Sequence, residues 1–195
     1  MVTCLYDYAR KLQIELGCPA EKIRVTPNGI NVEALAGLPG KTEEEQQFIN
    51  AGAVLRVTPI KDVKTMIQAF AFAKKRVKNM KLWIMGPADE DEKYAKECYD
   101  LVESLGVKDV EFTGRVNVRD YLGKMESYAA HKPVITTDVG NCRELIYGNE
   151  DGFGDAGILT HIMNIEEIAH AMVNMSINEE NRKRMGEAGY KRVNA

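Results

Sequence analysis

From residue 48 onward, apolar runs of strand length alternate with amphipathic stretches of helix length. "FINAGAVLRV" reads as a strand, residues 61–77 as a helix and "KLWIMG" as a strand; residues 92–105 then read as a helix and "DVEFTG" as a strand. Strands buried on both faces need no polar side, and parallel neighbours need a crossover, so this alternation implies β-α-β units. The expected fold class is α/β, a Rossmann-like parallel sheet with helices on both faces. A sheet of this kind binds its ligand beyond the carboxyl ends of its strands.

Upstream, residues 3–16 read as a helix, with Leu5, Ala9, Leu12 and Leu16 at helical spacing and Gly17 as its stop. "KIRVTPNGI" gives a short strand closed by a Pro-Asn-Gly turn, and the acidic residues 38–47 read as a solvated loop. The expected division is a connecting helix, short strand and loop over residues 1–47, then the Rossmann-like domain over 48–195. After Arg119 the alternation breaks: "VRDYLGKMESYAAHKP" is helical throughout and runs straight into the strand "PVITTDV". "AGIL" is a further short strand, and residues 165–175 and 179–190 close the chain as helices.

No apolar run approaches the roughly 18 residues of a membrane span, and the N-terminal residues lack the pattern of a secretory signal. Cys4, Cys18, Cys98 and Cys142 are scattered without close pairs, which suits reduced thiols and a cytoplasmic location. His131, His161 and His170 show no ligand spacing, so no metal is expected and all three read as structural or exposed. A net charge of −3 without a basic block offers no footprint for nucleic acid. Any bound anion must be held by a few placed cations.

Arg56 and Lys61 flank Thr58-Pro59 in "GAVLRVTPIKDVKTMIQAF", where a strand passes into a helix. A phosphate at that joint would meet a bidentate guanidinium, an ammonium in the first helical turn and the positive end of the helix dipole. Two cations suit a diphosphate, and Pro59 restrains the backbone between them. On residue type alone, two solvated surface cations fit the same positions equally well.

Six stretches in order, "VTPNGIN", "GAVLRVTPIKDVKTMIQAFA", "KLWIMGPADED", "VEFTGRVNVRDYLGKM", "ESYAAHKPVITTDVGNCRELI" and "MNIEEIAHAM", together resemble the C-terminal half of a retaining GT-B glycosyltransferase of sequence family four. Within that family the sequence is most similar to the cytosolic glycosyltransferases of Pel exopolysaccharide biosynthesis. The resemblance implies binding of a nucleotide-sugar donor, a UDP-hexose, as substrate, with no cofactor. It implies that Arg56 and Lys61 hold the donor diphosphate and act catalytically, by stabilising charge on the leaving β-phosphate. Glu126 matches the second glutamate of the family's E-x7-E motif, an acceptor for ribose hydroxyls. Arg115 and Val116, after Gly114, match the position beside the nucleobase. Gly86 matches the glycine after its strand, although Pro87 has no N–H to offer. Gly140 and Glu144 match the G-G-x-x-E element, with Asn141 replacing the second glycine and expected to tolerate its left-handed backbone.

Further partners implied by the resemblance are a glycan acceptor, held by an N-terminal half, and a membrane-bound polysaccharide synthase complex. Of that N-terminal half only the last connecting helix, "TCLYDYARKLQIELG", has a counterpart here, and the chain stops at "YKRVNA", short of the family's terminal helix. Between Met125 and Glu126 the family has a strand, a loop bearing the first glutamate of E-x7-E and the start of a helix. A segment of roughly 15 to 20 residues is therefore expected to be missing there. Were the chain continuous, residues 118–130 would form one helix, and the strands on either side of the vacancy would pair directly. The isolated domain is expected to bind donor weakly and transfer nothing. Two other classes remain open. A GT-B-fold epimerase or phosphorylase shares the architecture, though a phosphorylase needs a pyridoxal-phosphate lysine or a free-phosphate pocket. A receiver-like α/β binding module needs an acidic cluster where this chain has Arg56.

Overall fold

The computed structural model describes residues 1–29, 31, 38, 40–124, 131–148 and 150–195. The chain opens with β1 (Val2–Cys4), α1 (Asp7–Glu15) and β2 (Ile23–Val25), and β1 and β2 pair in parallel. The helix expected from residue 3 thus begins four residues later, because Thr3 and Cys4 take Arg24 and Val25 as sheet partners. The expected loop at 38–47 contains a short helix, α2 (Glu43–Gln46). Thr42 caps it, accepting from the Glu45 N–H at 3.3 Å while the Thr42 N–H donates to Glu45 Oε2 at 2.9 Å. That reciprocal pair satisfies two otherwise orphaned donors.

The alternation seen in the sequence follows as β3 (Ile49–Val54), α3 (Val63–Arg76), β4 (Met80–Met85), α4 (Glu92–Ser104) and β5 (Val110–Gly114). Strands β3, β4 and β5 form one parallel sheet in that order. Along β4 the side chains divide between two faces. Met80, Leu82 and Ile84 join Ile67 and Phe70 of α3 and Cys98 of α4 in the main core. Trp83 and Met85 turn the other way, and Tyr121 of α5 (Arg119–Leu122) packs edge-on against Trp83 with centroids 5.4 Å apart. Helices therefore cover both faces, and the α/β expectation holds.

The remaining elements are β6 (Val134–Thr137), α6 (Cys142–Tyr147), β7 (Gly157–Thr160), α7 (Ile165–Ile177) and α8 (Glu179–Val193). Helix α7 adds Ile168, Ala169 and Met172 to the main core. A single sheet was the natural expectation; the described residues form three, with β6 paired in parallel to β7 alone. Direct pairing across the vacancy, expected of a continuous chain, is absent among the described pairs: β3 bonds only β4. Of the helix expected over 118–130, α5 covers four residues, and positions 125–130, Met125 and Glu126 among them, lie outside the described residues.

Candidate functional site

Three turns leave the carboxyl ends of β3, β4 and β5, and backbone hydrogen bonds tie them together. The Leu55 N–H donates to Met85 O and the Val57 N–H to Pro87 O, at 2.9 and 2.8 Å. The Gly86 N–H donates to Gly114 O at 2.9 Å. Pro87, without an N–H, thus serves through its carbonyl. Gly86 has φ of +140° and Gly114 +67°, and a Cβ on Gly86 would overlap the Leu55 carbonyl oxygen. Only glycine lets these two turns approach so closely.

Between the turns lies a cleft of about 490 Å³, whose walls include Arg56, Lys61, Gly86, Arg115 and Val116. Five of the residues singled out in the sequence are thereby brought together. Glu126 lies outside the described residues. Gly140 and Glu144 do not line this cleft; Gly140 precedes α6 and Glu144 is exposed on it. Gly140 itself takes the positive φ of +56°, so Asn141 at −99° is spared the left-handed backbone expected of it. Arg143 pairs with Asp138 rather than with Glu144.

Lys61 was expected in the first turn of the helix. It sits instead in a separate 3-10 turn, Pro59–Lys61, and the left-handed Asp62, φ 46°, divides that turn from α3. The Lys64 N–H at the start of α3 donates to the Tyr94 hydroxyl at 3.3 Å. An anion in the cleft therefore meets the side-chain cations first, with one amide of the helix start already satisfied.

The cations are engaged by acids that sequence reasoning passed over. Arg56 Nη1 donates to Glu90 Oε2 at 2.9 Å, and Arg115 Nη2 to Asp89 Oδ1 at 3.2 Å. Both carboxylates come from the turn after Pro87, and the "ADEDE" run there was the available signal. All four side chains are substantially exposed, so each pair exchanges readily with solvent or with another anion. The two clearest histidine partnerships lie on other elements: His131 stacks on Tyr190 and meets Glu187 at 2.7 Å, and His161 meets Glu167 at 2.9 Å. Among the described residues no group of three His, Cys, Asp or Glu is placed to hold a metal ion, and no helix is long and apolar enough to cross a membrane.

Solved structures of similar fold place the architecture. The crystal structure of HepE from Anabaena, in complex with UDP and glucose, superposes with a TM-score of 0.80 at 16% identity, over 99% of this chain and 58% of that one. This is a GT-B glycosyltransferase fold. A glycosyltransferase from Rickettsia africae gives 0.82 at 15% identity, covering 98% of this chain and 57% of its own. TarM from S. aureus gives 0.70 at 17%, covering 99% and 39%. The chain thus spans less than two thirds of the first two structures and well under half of TarM. Residues 122–192 match the family described as Glycosyl transferases group 1. No curated protein matches the chain in sequence.

Proposed function

We propose that the chain is the donor-binding domain of a retaining glycosyltransferase, taking a nucleoside-diphosphate sugar, with UDP-hexose as the donor and an exopolysaccharide as the product. The gathering of Arg56, Lys61 and Arg115 around one cleft at the carboxyl ends of β3, β4 and β5 carries this reading. Support also comes from the GT-B fold, from the match of residues 122–192 and from similar structures that hold UDP.

In this reading Arg56 forks onto the diphosphate and Lys61 adds a point charge. As the bond from the anomeric carbon to the β-phosphate oxygen breaks, negative charge grows on the diphosphate. Cations already in place then stabilise the transition state more than the bound donor. Arg115 and Val116 border the nucleobase end. Glu126, on the resemblance, takes the ribose hydroxyls. The exopolysaccharide class, the synthase complex, the glycan acceptor and the cytoplasmic location rest on the same resemblance.

Titration of the purified chain with UDP, GDP and ADP tests the donor class, and UDP is expected to bind tightest. Incubation with UDP-sugars and acceptor oligosaccharides is expected to yield no transfer by this chain alone. Measurable transfer contradicts the reading of an incomplete enzyme.

A further inference from the structure

The turn after β4 carries carboxylates between the guanidinium groups of the cleft. β4 lies between β3 and β5 in the sheet, so this turn sits between Arg56, just beyond β3, and Arg115, just beyond β5. Glu90 Oε2 accepts from Arg56 Nη1 at 2.9 Å, and Asp89 Oδ1 accepts from Arg115 Nη2 at 3.2 Å. Neighbouring residues of one turn thus serve cations from two different strands.

That turn is held at both ends. The Pro87 carbonyl accepts from the Val57 N–H at 2.8 Å, and Ala88 packs against the main core. On the far side Asp91 caps α4: its Oδ1 accepts from the Tyr94 N–H at 2.9 Å, and its carbonyl accepts from the Ala95 N–H. Tyr94 is buried, and its hydroxyl accepts from the Lys64 N–H at the start of α3. Only Asp89 and Glu90 lie between these anchors. Their backbone has little room to swing, and their side chains are shorter than those of their partners, so the arginine is the mobile member of each pair. When the arginines turn to a ligand, both carboxylates stay at the rim.

A fixed carboxylate discriminates by charge and by hydrogen bonding. Ionised, it only accepts, so a hydroxyl or an ammonium group can donate to it while another carboxylate cannot. Like unit charges about 4 Å apart in water repel by roughly a factor of five in affinity. A diphosphate bound by Arg56 and Lys61 takes up their charge and leaves Glu90 uncompensated. In the donor reading Arg115 borders the nucleobase and Arg56 the diphosphate. Asp89 then lies toward the base, and Glu90 toward the glycosyl group.

We propose that Glu90 determines the charge class of the donor sugar: it admits a neutral or amino-bearing glycosyl group and disfavours an anionic one, a hexuronate. The inference rests on the donor reading and adds the residue that selects among donors.

Isothermal titration of the chain with UDP-glucose and UDP-glucuronate, which differ by a hydroxymethyl group against a carboxylate, tests it. UDP-glucuronate is expected to bind about two- to fivefold more weakly, the range a partly screened pair of like charges allows. Glu90→Gln is expected to tighten both donors by releasing Arg56, and UDP-glucuronate more, so that the gap between them closes. Asp100→Asn is the control: it removes the same charge from the exposed face of α4, where Asp100 pairs with Lys96, and is expected to leave the gap as in the parent. Equal affinity of the parent for the two donors overturns the proposal, as does a gap that Glu90→Gln leaves unchanged or that Asp100→Asn closes as far. In each of these outcomes binding of UDP still upholds the donor reading. Absence of UDP binding by the parent overturns the donor reading, and the proposal falls with it.

Discussion

Arg56 and Glu90 form an ion pair, Nη1 to Oε2 at 2.9 Å, that places a carboxylate on the guanidinium proposed to receive the donor diphosphate. Asp89 does the same to Arg115 at 3.2 Å. The turn after β4 thus offers the cleft its own anions, and an incoming diphosphate has to displace them. Exposed pairs of this kind are worth about 0.2–1 kcal/mol. Glu90→Gln is expected to tighten UDP binding by up to about fivefold, the upper end of that range converted at 1.4 kcal/mol per factor of ten. Isothermal titration reads the change, and weaker binding by the variant would show that Glu90 assists the ligand.

Removing the cations should act in the opposite direction and more strongly. A charge-assisted hydrogen bond contributes about 1.5–3 kcal/mol. Arg56→Ala and Lys61→Ala are each expected to weaken UDP binding by about 10- to 100-fold. Neither residue belongs to the buried core, so the far-ultraviolet circular dichroism of both variants should match that of the parent. A variant that binds UDP as the parent does removes that residue from the site.

Gly86→Ala tests the close approach of the two turns. The new Cβ would overlap the Leu55 carbonyl oxygen, on a backbone with φ of +140°. A cost of about 1–3 kcal/mol is expected, which lowers Tm by several degrees at this chain length. Gly106→Ala is the control, since φ there is +58° but no atom lies within 4 Å of the added carbon. The Gly86 variant should lose more Tm than the Gly106 variant; equal losses would assign the effect to backbone strain alone.

Acid should loosen the junction between α6 and α8. Arg192 reaches Asp151 through Nε at 2.6 Å and Nη2 at 3.1 Å, and also donates to the carbonyls of Leu145, Ile146 and Gly154. The Arg192 hydrogen bond, then that of the Phe153 N–H, holds the Asp151 carboxyl below the ordinary carboxylate range. A depressed native value means that the stabilisation is complete above the unfolded value of about 3.9 and is lost as pH falls through the native one. The Tm difference between the parent and Asp151→Asn should be largest near pH 7 and shrink progressively as pH falls below about 4. A difference that does not shrink on acidification would contradict the assignment.

Where a segment carried its own signal, the sequence was legible. β4 was legible because Leu82, Trp83, Ile84 and Met85 form an unbroken apolar run, and α3 because its buried face recurs at helical spacing. Strand β1 was not, since Thr3 and Cys4 depend on partners some twenty residues away, while Leu5 and Leu12 extend the helical pattern across them. Helix α2 was hidden because Thr42 and Glu45 sit in an acidic run that also reads as solvated loop. Within the site, the strand-end positions of Arg56, Gly86 and Arg115 followed from topology. Their pairing with Glu90 and Asp89 did not, because it joins turns that only the folded sheet brings together.

The central claim is a diphosphate clamp at Arg56 and Lys61, and titration of the unmodified chain with UDP and with uridine tests it most directly. The account predicts that UDP binds at least tenfold more tightly than uridine, and that the Arg56→Ala, Lys61→Ala double variant abolishes the difference. Equal affinity of the unmodified chain for UDP and uridine would contradict it.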